Sequence, residues 1–278
     1  MPLDLAALDP PVTALLRYVA DDFVMPRFGR LAAADVLEKT PGELVTIADR
    51  ESEERLTEGL AAIFSAARVI GEEGCAADPA LVDRIGEGLV WIVDPIDGTA
   101  NFAVGRGPFG IMVALIDDGV PLASWILDPL AGRLCHARRG DGAWIDGASF
   151  RVTPSSRARP IAGLATQFMS ADQRATVEAR GTAAYDLTPI PRCAAEQYPR
   201  VALGVNDVAL FQRTLAWDHA AGALFLLEAG GAVTRWDGAA YRIGDGKAGL
   251  IAATDARLWA DAHRLFFEQG PPPPPFAG

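Results

Sequence analysis

The chain has 278 residues, 50% of them hydrophobic and 22% charged, so it carries enough apolar material for a folded core and is not a disordered chain. Lys and Arg number 25 against 36 Asp and Glu, a formal net charge of −11. That balance excludes a nucleic-acid polymer as partner through broad electrostatics, and an anionic substrate needs cations or backbone N–H groups to reverse the local sign. Cys75, Cys135 and Cys193 are widely spaced and include no Cys-x-x-Cys pair, which argues for a reducing compartment and against a disulfide framework or a thiolate zinc site. The start, MPLDLAALDPPVTALL, has acids where a signal peptide needs basic residues, and no window of about 18 residues is free of charge and turn residues. The expectation is a cytoplasmic protein with no membrane partner.

In chain order, residues 12–28 place Leu15, Leu16, Val19 and Phe23 at helical spacing. A second helix fits residues 49–67, whose acidic first turn suits the helix dipole. Residues 89–93 are apolar throughout, as a buried strand is. Strand-like runs at 109–116 and 122–127 flank Asp117-Asp118-Gly119, a hairpin signal. Residues 132–145 carry the glycines of further tight turns. Residues 198–203 read as helix, 208–211 as strand, and 217–229 as a helix stopped by Gly230-Gly231. The proline run after Gly270 is polyproline-like and reads as unpacked. The pattern is a layered α/β architecture. A soft boundary in the Pro/Ser/Arg-rich stretch 153–159 divides it into 1–155, 156–268 and a flexible tail, 269–278.

Chemistry concentrates in Asp94-Pro95-Ile96-Asp97-Gly98-Thr99. An apolar strand ends in Asp94, and a turn through Pro95 returns Asp97 beside it. Two carboxylates held that close repel by about 4 kcal/mol at an effective dielectric near 20, a cost that a hard divalent ion such as Mg²⁺ removes. An ordinary Asp-Gly turn is the plainer reading, and alone it is as good. Gly71-Glu72-Glu73-Gly74 alone reads as a solvated acidic loop, Asp218 in Trp217-Asp218-His219 as a helix cap, and Asp49 after Leu44-Val45-Thr46 as another cap.

Taken together and in this order, these segments resemble the inositol monophosphatase family of Mg²⁺-dependent, lithium-sensitive sugar phosphatases. The likeness rests on Leu44-Val45-Thr46-x-x-Asp49, Gly71-Glu72-Glu73, Asp94-Pro95-Ile96-Asp97-Gly98-Thr99-x-Asn101-Phe102 and Trp217-Asp218-x-Ala220-x-Gly222, and covers residues 12–265. It implies the fold of that family and of the fructose bisphosphatases, with alternating helix and sheet layers. It implies that Glu72, Asp94 and the Ile96 carbonyl bind a first Mg²⁺, and that Asp94, Asp97 and Asp218 bind a second. Glu72 can share a looser third ion. Gly98 and Thr99 N–H groups hold the phosphate, Asp97 borders the substrate, and Thr99, Asp49 and Glu72 serve the attacking water. A threonine hydroxyl is too weak a base alone, but a carboxylate behind it can take the proton. The family likeness also implies a homodimer.

One position departs from the family. Inositol-specific members carry a glutamate before the Trp-Asp motif, where this chain has Phe211, then Gln212 and Arg213. Glu196 and Gln212 are the candidates to contact substrate instead. The expected activity is therefore Mg²⁺-dependent hydrolysis of a small phosphorylated metabolite, inositol-phosphate-like. Histidinol phosphate, fructose 1,6-bisphosphate and a 3′(2′),5′-bisphosphate nucleotide are rival substrates, and a catalytically inactive binding protein is the rival of another class. Gly105-Arg106-Gly107-Pro108-Phe109-Gly110 matches a dinucleotide-binding pattern, but Pro108 interrupts it and a strand-like run follows.

Overall fold

The computed structural model describes residues 3–40 and 43–268. The expected tail, 269–278, lies outside the described residues.

Helix α1 (Asp9–Val19) leads through short π and 3-10 turns to a hairpin, β1 (Val36–Thr40) and β2 (Glu43–Thr46), and then to α2 (Ile47–Ile63). A seven-stranded sheet follows in chain order: β3 (Arg68–Gly71), β4 (Leu89–Asp97), β5 (Gly110–Asp117), β6 (Val120–Asp128), β7 (Arg133–Arg138), β8 (Gly142–Ile145) and β9 (Ala148–Phe150). Short helices α3 (Glu72–Ala77) and α4 (Thr99–Ala103) flank β4. In this sheet only β3–β4 is parallel; β5 to β9 follow one another through short turns, and β4 reaches β5 through α4 and a loop, all antiparallel. At the predicted hairpin, Asp118 (φ 44°) and Gly119 (φ 78°) are both left-handed, the turn that matches strand twist.

The chain runs as coil from 151 to 160 and then builds a second sheet. Its strands are β10 (Ile161–Ala165), β11 (Asp186–Thr188), β12 (Val208–Phe211), β13 (Ala232–Arg235) and β14 (Leu250–Ala253), in the spatial order β11-β10-β12-β14-β13. Helices α5 (Ala171–Ala184), α6 (Ala194–Ala202), α7 (Ala216–Glu228) and α8 (Ala256–His263) complete the molecule.

Alternation along the strands sets five layers. Trp91 and Val93 of β4 pack with Leu16 of α1 and Leu56 and Leu60 of α2, whereas Val90 and Ile92 face α7 with Leu224 and Phe225. Ala209 and Phe211 of β12 join that same central cluster, while Val208 and Leu210 pack outward with Val177 of α5 and Leu258 of α8. Helices α6 and α7 are thus sandwiched between the two sheets. Each fully buried large side chain, such as Trp91 or Trp125, contributes roughly 1.5–3 kcal/mol or more. The two central helices approach closely because residue 222 is glycine: a Cβ there falls 2.0 Å from the Tyr198 ring.

The fold is the expected layered α/β one, with differences in detail. The regular part of the first helix ends at Val19, ahead of Pro26. Asp49 is not the cap of α2. Thr46 is, and Asp49 sits three residues on, completing the capping box. Gly71-Glu72-Glu73-Gly74 is not a loop but the junction of strand β3 and helix α3; at four residues that strand is too short for a pattern. Strands β10, β11, β13 and β14 and the eight-residue helix α8 are too short for a periodicity to show in the sequence, and α5 spreads Ala, Arg and Glu round all its faces. No helix among the described residues is long and apolar enough to cross a membrane.

Candidate active site

The C-terminal ends of β3 and β4 meet the first turn of α7. Glu72 begins α3 directly after β3, Asp94 and Asp97 lie in the last turnings of β4, and Asp218 is the third residue of α7. Glu72, Asp94 and Asp218 each offer a carboxylate oxygen within 4.8 Å of the others. Asp218 makes no capping bond, so it is not the helix cap.

A bulge explains why Asp94 and Asp97 share a cavity. Asp94 pairs with Met112 and Asp97 with Gly110, so β4 holds one more residue than β5 over this stretch. Residues three apart on a regular strand face opposite sides, and the extra residue restores the same side. Pro95 fits there because it has no N–H to lose from the ladder. Asp94 Oδ1 accepts from Ile96 N (3.1 Å), and Asp97 Oδ2 accepts from Ala195 N at the start of α6 (2.6 Å).

Electrostatics identify the ligand class. Burial, reinforced by the surrounding carboxylates, holds the Asp94 and Asp218 carboxyls well above the usual range. Burial likewise lifts Asp97 to about 6. A divalent cation in the middle offsets both the burial and the mutual repulsion. All the donors are hard oxygens, the set that Mg²⁺ and Ca²⁺ take, with no His or Cys ligand. The residues therefore fit Mg²⁺.

Lys39 of β1 reaches the same cluster, donating to Glu72 Oε1 (2.8 Å) and Glu73 Oε1 (2.7 Å). Burial opposes its charge, but the two carboxylates hold its pKa above the usual lysine value. Nothing local in the sequence connects Lys39 to an acid 33 residues away. Glu53 of α2 is another unforeseen member. Its carboxylate accepts from Glu73 N (2.8 Å) and Gly74 N (2.7 Å), and burial lifts it to about 7.

Beside the metal cluster, Asp49 Oδ2 accepts from both Thr46 N (2.8 Å) and Thr46 Oγ1 (2.5 Å), and Asp49 Oδ1 lies 3.1 Å from Thr99 Oγ1. Burial outweighs these bonds and raises Asp49 to about 6. The Thr99 hydroxyl has one proton and two acceptors in reach, because the Ile96 carbonyl lies 2.9 Å away. Gly98 turns the chain into α4 with φ +86°, and a Cβ there meets Pro108 O at 3.0 Å and Cys193 at 3.2 Å. Asn101 ties the neighbouring loops together by donating to Pro108 O (2.8 Å) and Pro191 O (3.0 Å).

Glu72, Asp94, Asp97, Gly98, Thr99 and Asp218 border a cavity of about 590 Å³, with Asp49 behind Thr99. Across it, Phe211 stacks on Tyr198 (5.2 Å between centroids) and meets His219 edge-on (4.8 Å). His219 is buried and neutral, its pKa pushed down to about 3 by burial. Its Nε2–H donates to Arg213 O (3.1 Å), and Nδ1 accepts from the Tyr198 hydroxyl (2.9 Å). Gln212 lines the cavity with an unpartnered Oε1. Glu196, the other substrate candidate from the sequence, is not among the lining residues. Its carboxylate is held by Arg133 (2.6 Å) and Arg200 (2.8 Å), and the next residue, Gln197, lines the cavity in its place. The glycine-rich stretch 105–110 is a loop entering β5, with no helix after it.

Comparison with known proteins gives one consistent result. The profile of the inositol monophosphatase family matches residues 8–266. A histidinol-phosphatase of Mycobacterium tuberculosis is 34% identical over 229 residues, covering 80% of this chain and 85% of that protein. A chloroplast phosphatase of Arabidopsis thaliana is 31% identical over 219 residues, covering 73% of this chain; the chain spans 56% of that protein's length. Among solved structures, an IMPase of Thermotoga maritima superposes with a TM-score of 0.77 at 25% identity, covering 94% of this chain and 96% of that one. The family match runs through both sheets and every carboxylate of the cavity: the chain belongs to the inositol monophosphatase family and is a phosphoric monoester hydrolase.

Proposed function

We propose that the chain hydrolyses a small phosphate monoester, inositol-phosphate-like in size, using Mg²⁺ held by Glu72, Asp94, Asp97, Asp218 and the Ile96 carbonyl, two or three ions in all. The observation that carries this reading is the convergence of Glu72 and Asp218 on the buried Asp94, beside the Asp49–Thr99 pair. When bound, Mg²⁺ lowers the pKa of water and offsets negative charge on the phosphoryl oxygens.

The chain's own residues do the rest. Gly98 and Thr99 offer backbone N–H groups to the phosphate at the cavity wall. The Thr99 hydroxyl orients the attacking water. When Thr99 passes its proton to Asp49 Oδ1, it can take one from that water. Thr46 holds the other Asp49 oxygen, so the carboxylate stays aimed at Thr99. Asp97 is fixed by Ala195 N and borders the substrate.

Phe211 favours a substrate other than inositol 1-phosphate, since a stacked aromatic wall cannot accept hydrogen bonds from sugar hydroxyls. The histidinol-phosphatase relative keeps that substrate in contention, beside fructose 1,6-bisphosphate and bisphosphonucleotides. Inhibition by millimolar lithium, assembly as a homodimer and a cytoplasmic location belong to the same reading. The test is phosphate release from a panel of monoesters with and without Mg²⁺. Activity on at least one member that vanishes on chelation supports the proposal. No release from any member returns the chain to the rival reading of an inactive binding protein.

A further inference from the structure

Two arginines line the cavity, and they differ in kind. Arg213 is matched: it pairs with Glu43, and its guanidinium lies 4.0 Å over the Phe168 ring. Arg192 is exposed and makes no hydrogen bond or ion pair with any described residue. Its backbone is the second anomaly. At φ +54° it occupies the left-handed region, which glycine enters freely and arginine does not. Neighbours hold it there: Asn101 bonds the Pro191 carbonyl on one side, and Ala195 N is bound to Asp97 on the other. Strain at a cavity mouth is tolerated where the side chain performs a task.

A third observation lies deeper in the same cavity. Gln197 is 2% exposed, and both its amide atoms lack a partner. Gly163 faces it. A Cβ there meets Asn206 Nδ2 at 3.0 Å and both Gln197 amide atoms at 3.4 Å, so the missing side chain at residue 163 is what lets these amides lie close against β10. Buried amides without partners are costly, and a ligand hydroxyl relieves that cost.

We infer that the substrate is a hydroxylated phosphate ester bearing a second anionic group, a phosphate or a carboxylate, which Arg192 binds at the cavity mouth while the Gln197 amide takes a hydroxyl of the skeleton between. This rests on the phosphatase reading above. A polyol monophosphate leaves Arg192 with nothing to bind. An arginine fork is suited to a planar or tetrahedral oxyanion in a way that the surrounding carboxylates are not.

The test compares kcat/KM for matched pairs, using the full chain in Mg²⁺. Fructose 1,6-bisphosphate is set against fructose 1-phosphate, adenosine 3′,5′-bisphosphate against adenosine 3′-phosphate, and 2-phosphoglycerate against glycerol 2-phosphate. The first two pairs read a second phosphate and the third a carboxylate. In at least one pair the doubly anionic member is preferred by about 10- to 100-fold, the worth of one charge-assisted hydrogen bond, expressed mainly in KM. Arg192→Gly, which suits the backbone angle, collapses that ratio towards one, and Arg192→Lys, which keeps the charge, retains most of it. Gln197→Leu lowers kcat/KM for both members alike. Absence of preference in every pair, or an equal loss on both members in Arg192→Gly, overturns the inference. Wild-type turnover of p-nitrophenyl phosphate tells the two failures apart: turnover without a preference sinks this inference alone, and no turnover sinks the phosphatase reading with it.

Discussion

On one side of the cavity, Glu72 and Asp97 each have a bonded partner, as does Asp49 behind Thr99, and Asp94 and Asp218 crowd one another and Glu72. On the other side, Arg192, Gln197 and Gln212 have side-chain atoms with no partner among the described residues. The acidic side is a fixed arrangement of carboxyl oxygens, the donor set that a hard divalent cation takes. The opposite wall is a set of unused donors and acceptors waiting for a substrate. Chemistry shared by many phosphatases needs the first kind of surface, and choice among substrates needs the second.

Asp94→Asn tests the acidic side most severely. Asp94 is the most enclosed member of the cluster, so its neutralisation should lower kcat/KM at least about 10³-fold while the fold, read by circular dichroism, survives. Full activity with Mg²⁺ as the only metal refutes the metal assignment. Thr99→Ala comes next. Removing the hydroxyl between water and Asp49 should cost about 10²–10⁴-fold in kcat with KM nearly unchanged, and a loss confined to KM contradicts the proton relay.

Phe211→Glu asks whether the apolar wall sets preference. It should raise the rate on inositol 1-phosphate relative to the other monoesters by roughly 10-fold. An equal loss on every substrate makes Phe211 a packing residue only, as its stacking on Tyr198 permits.

Acidity separates the two sides in another way. Burial raises Asp49 to about 6 and Glu53 and Glu73 to about 7, each from an ordinary value near 4. The folded chain therefore holds protons that the unfolded chain has released. Its stability without metal is greatest below about pH 4 as far as these groups are concerned, and is lost as pH rises through about 6 to 7. Thermal melts in chelator should fall by roughly 5 °C or more between pH 5 and 8. Added Mg²⁺ should restore more at pH 8 than at pH 5, because the ligands must be deprotonated. A flat or opposite trend in chelator contradicts the burial of these carboxyls. The smallest effect belongs to the wall. Arg192→Gly should stabilise the protein by about 0.5 kcal/mol, the difference between roughly 1–2 kcal/mol of relieved strain and about 0.5–1 kcal/mol of added chain entropy. A clear loss of stability means that the arginine side chain packs at the mouth.

Much of the acidic side could be read from the sequence because its geometry is local. Asp94 and Asp97 are three residues apart around Pro95, and Thr46 and Asp49 form a capping box within one turn. Turn and cap chemistry act over four or five residues, and the spacing carries them. Phe211 was found only as a departure from a family pattern, and its role as a stacked wall needed Tyr198 and His219 in place. Lys39 and Glu53 escaped notice because the groups they serve lie 33 to 34 and 20 to 21 residues away. Glu196 looked available in the sequence because nothing local reveals that Arg133, 63 residues earlier, holds it.

The sequence by itself determined the family, the layered α/β class and the motif segments that supply the acids, because these depend on short spacings and on apolar runs. Tertiary structure alone decided which side chains remain free. Whether an arginine is matched, as Arg213 is by Glu43, or unmatched, as Arg192 is, depends on what the packing of α6, β12 and the hairpin brings within about 3 Å. Whether a buried amide can lie close against a strand depends on a glycine far away in the chain, Gly163 of β10 beside Gln197 of α6. Hydrogen bonds and ion pairs fall off within a few ångströms, and chain separation does not encode distances on that scale.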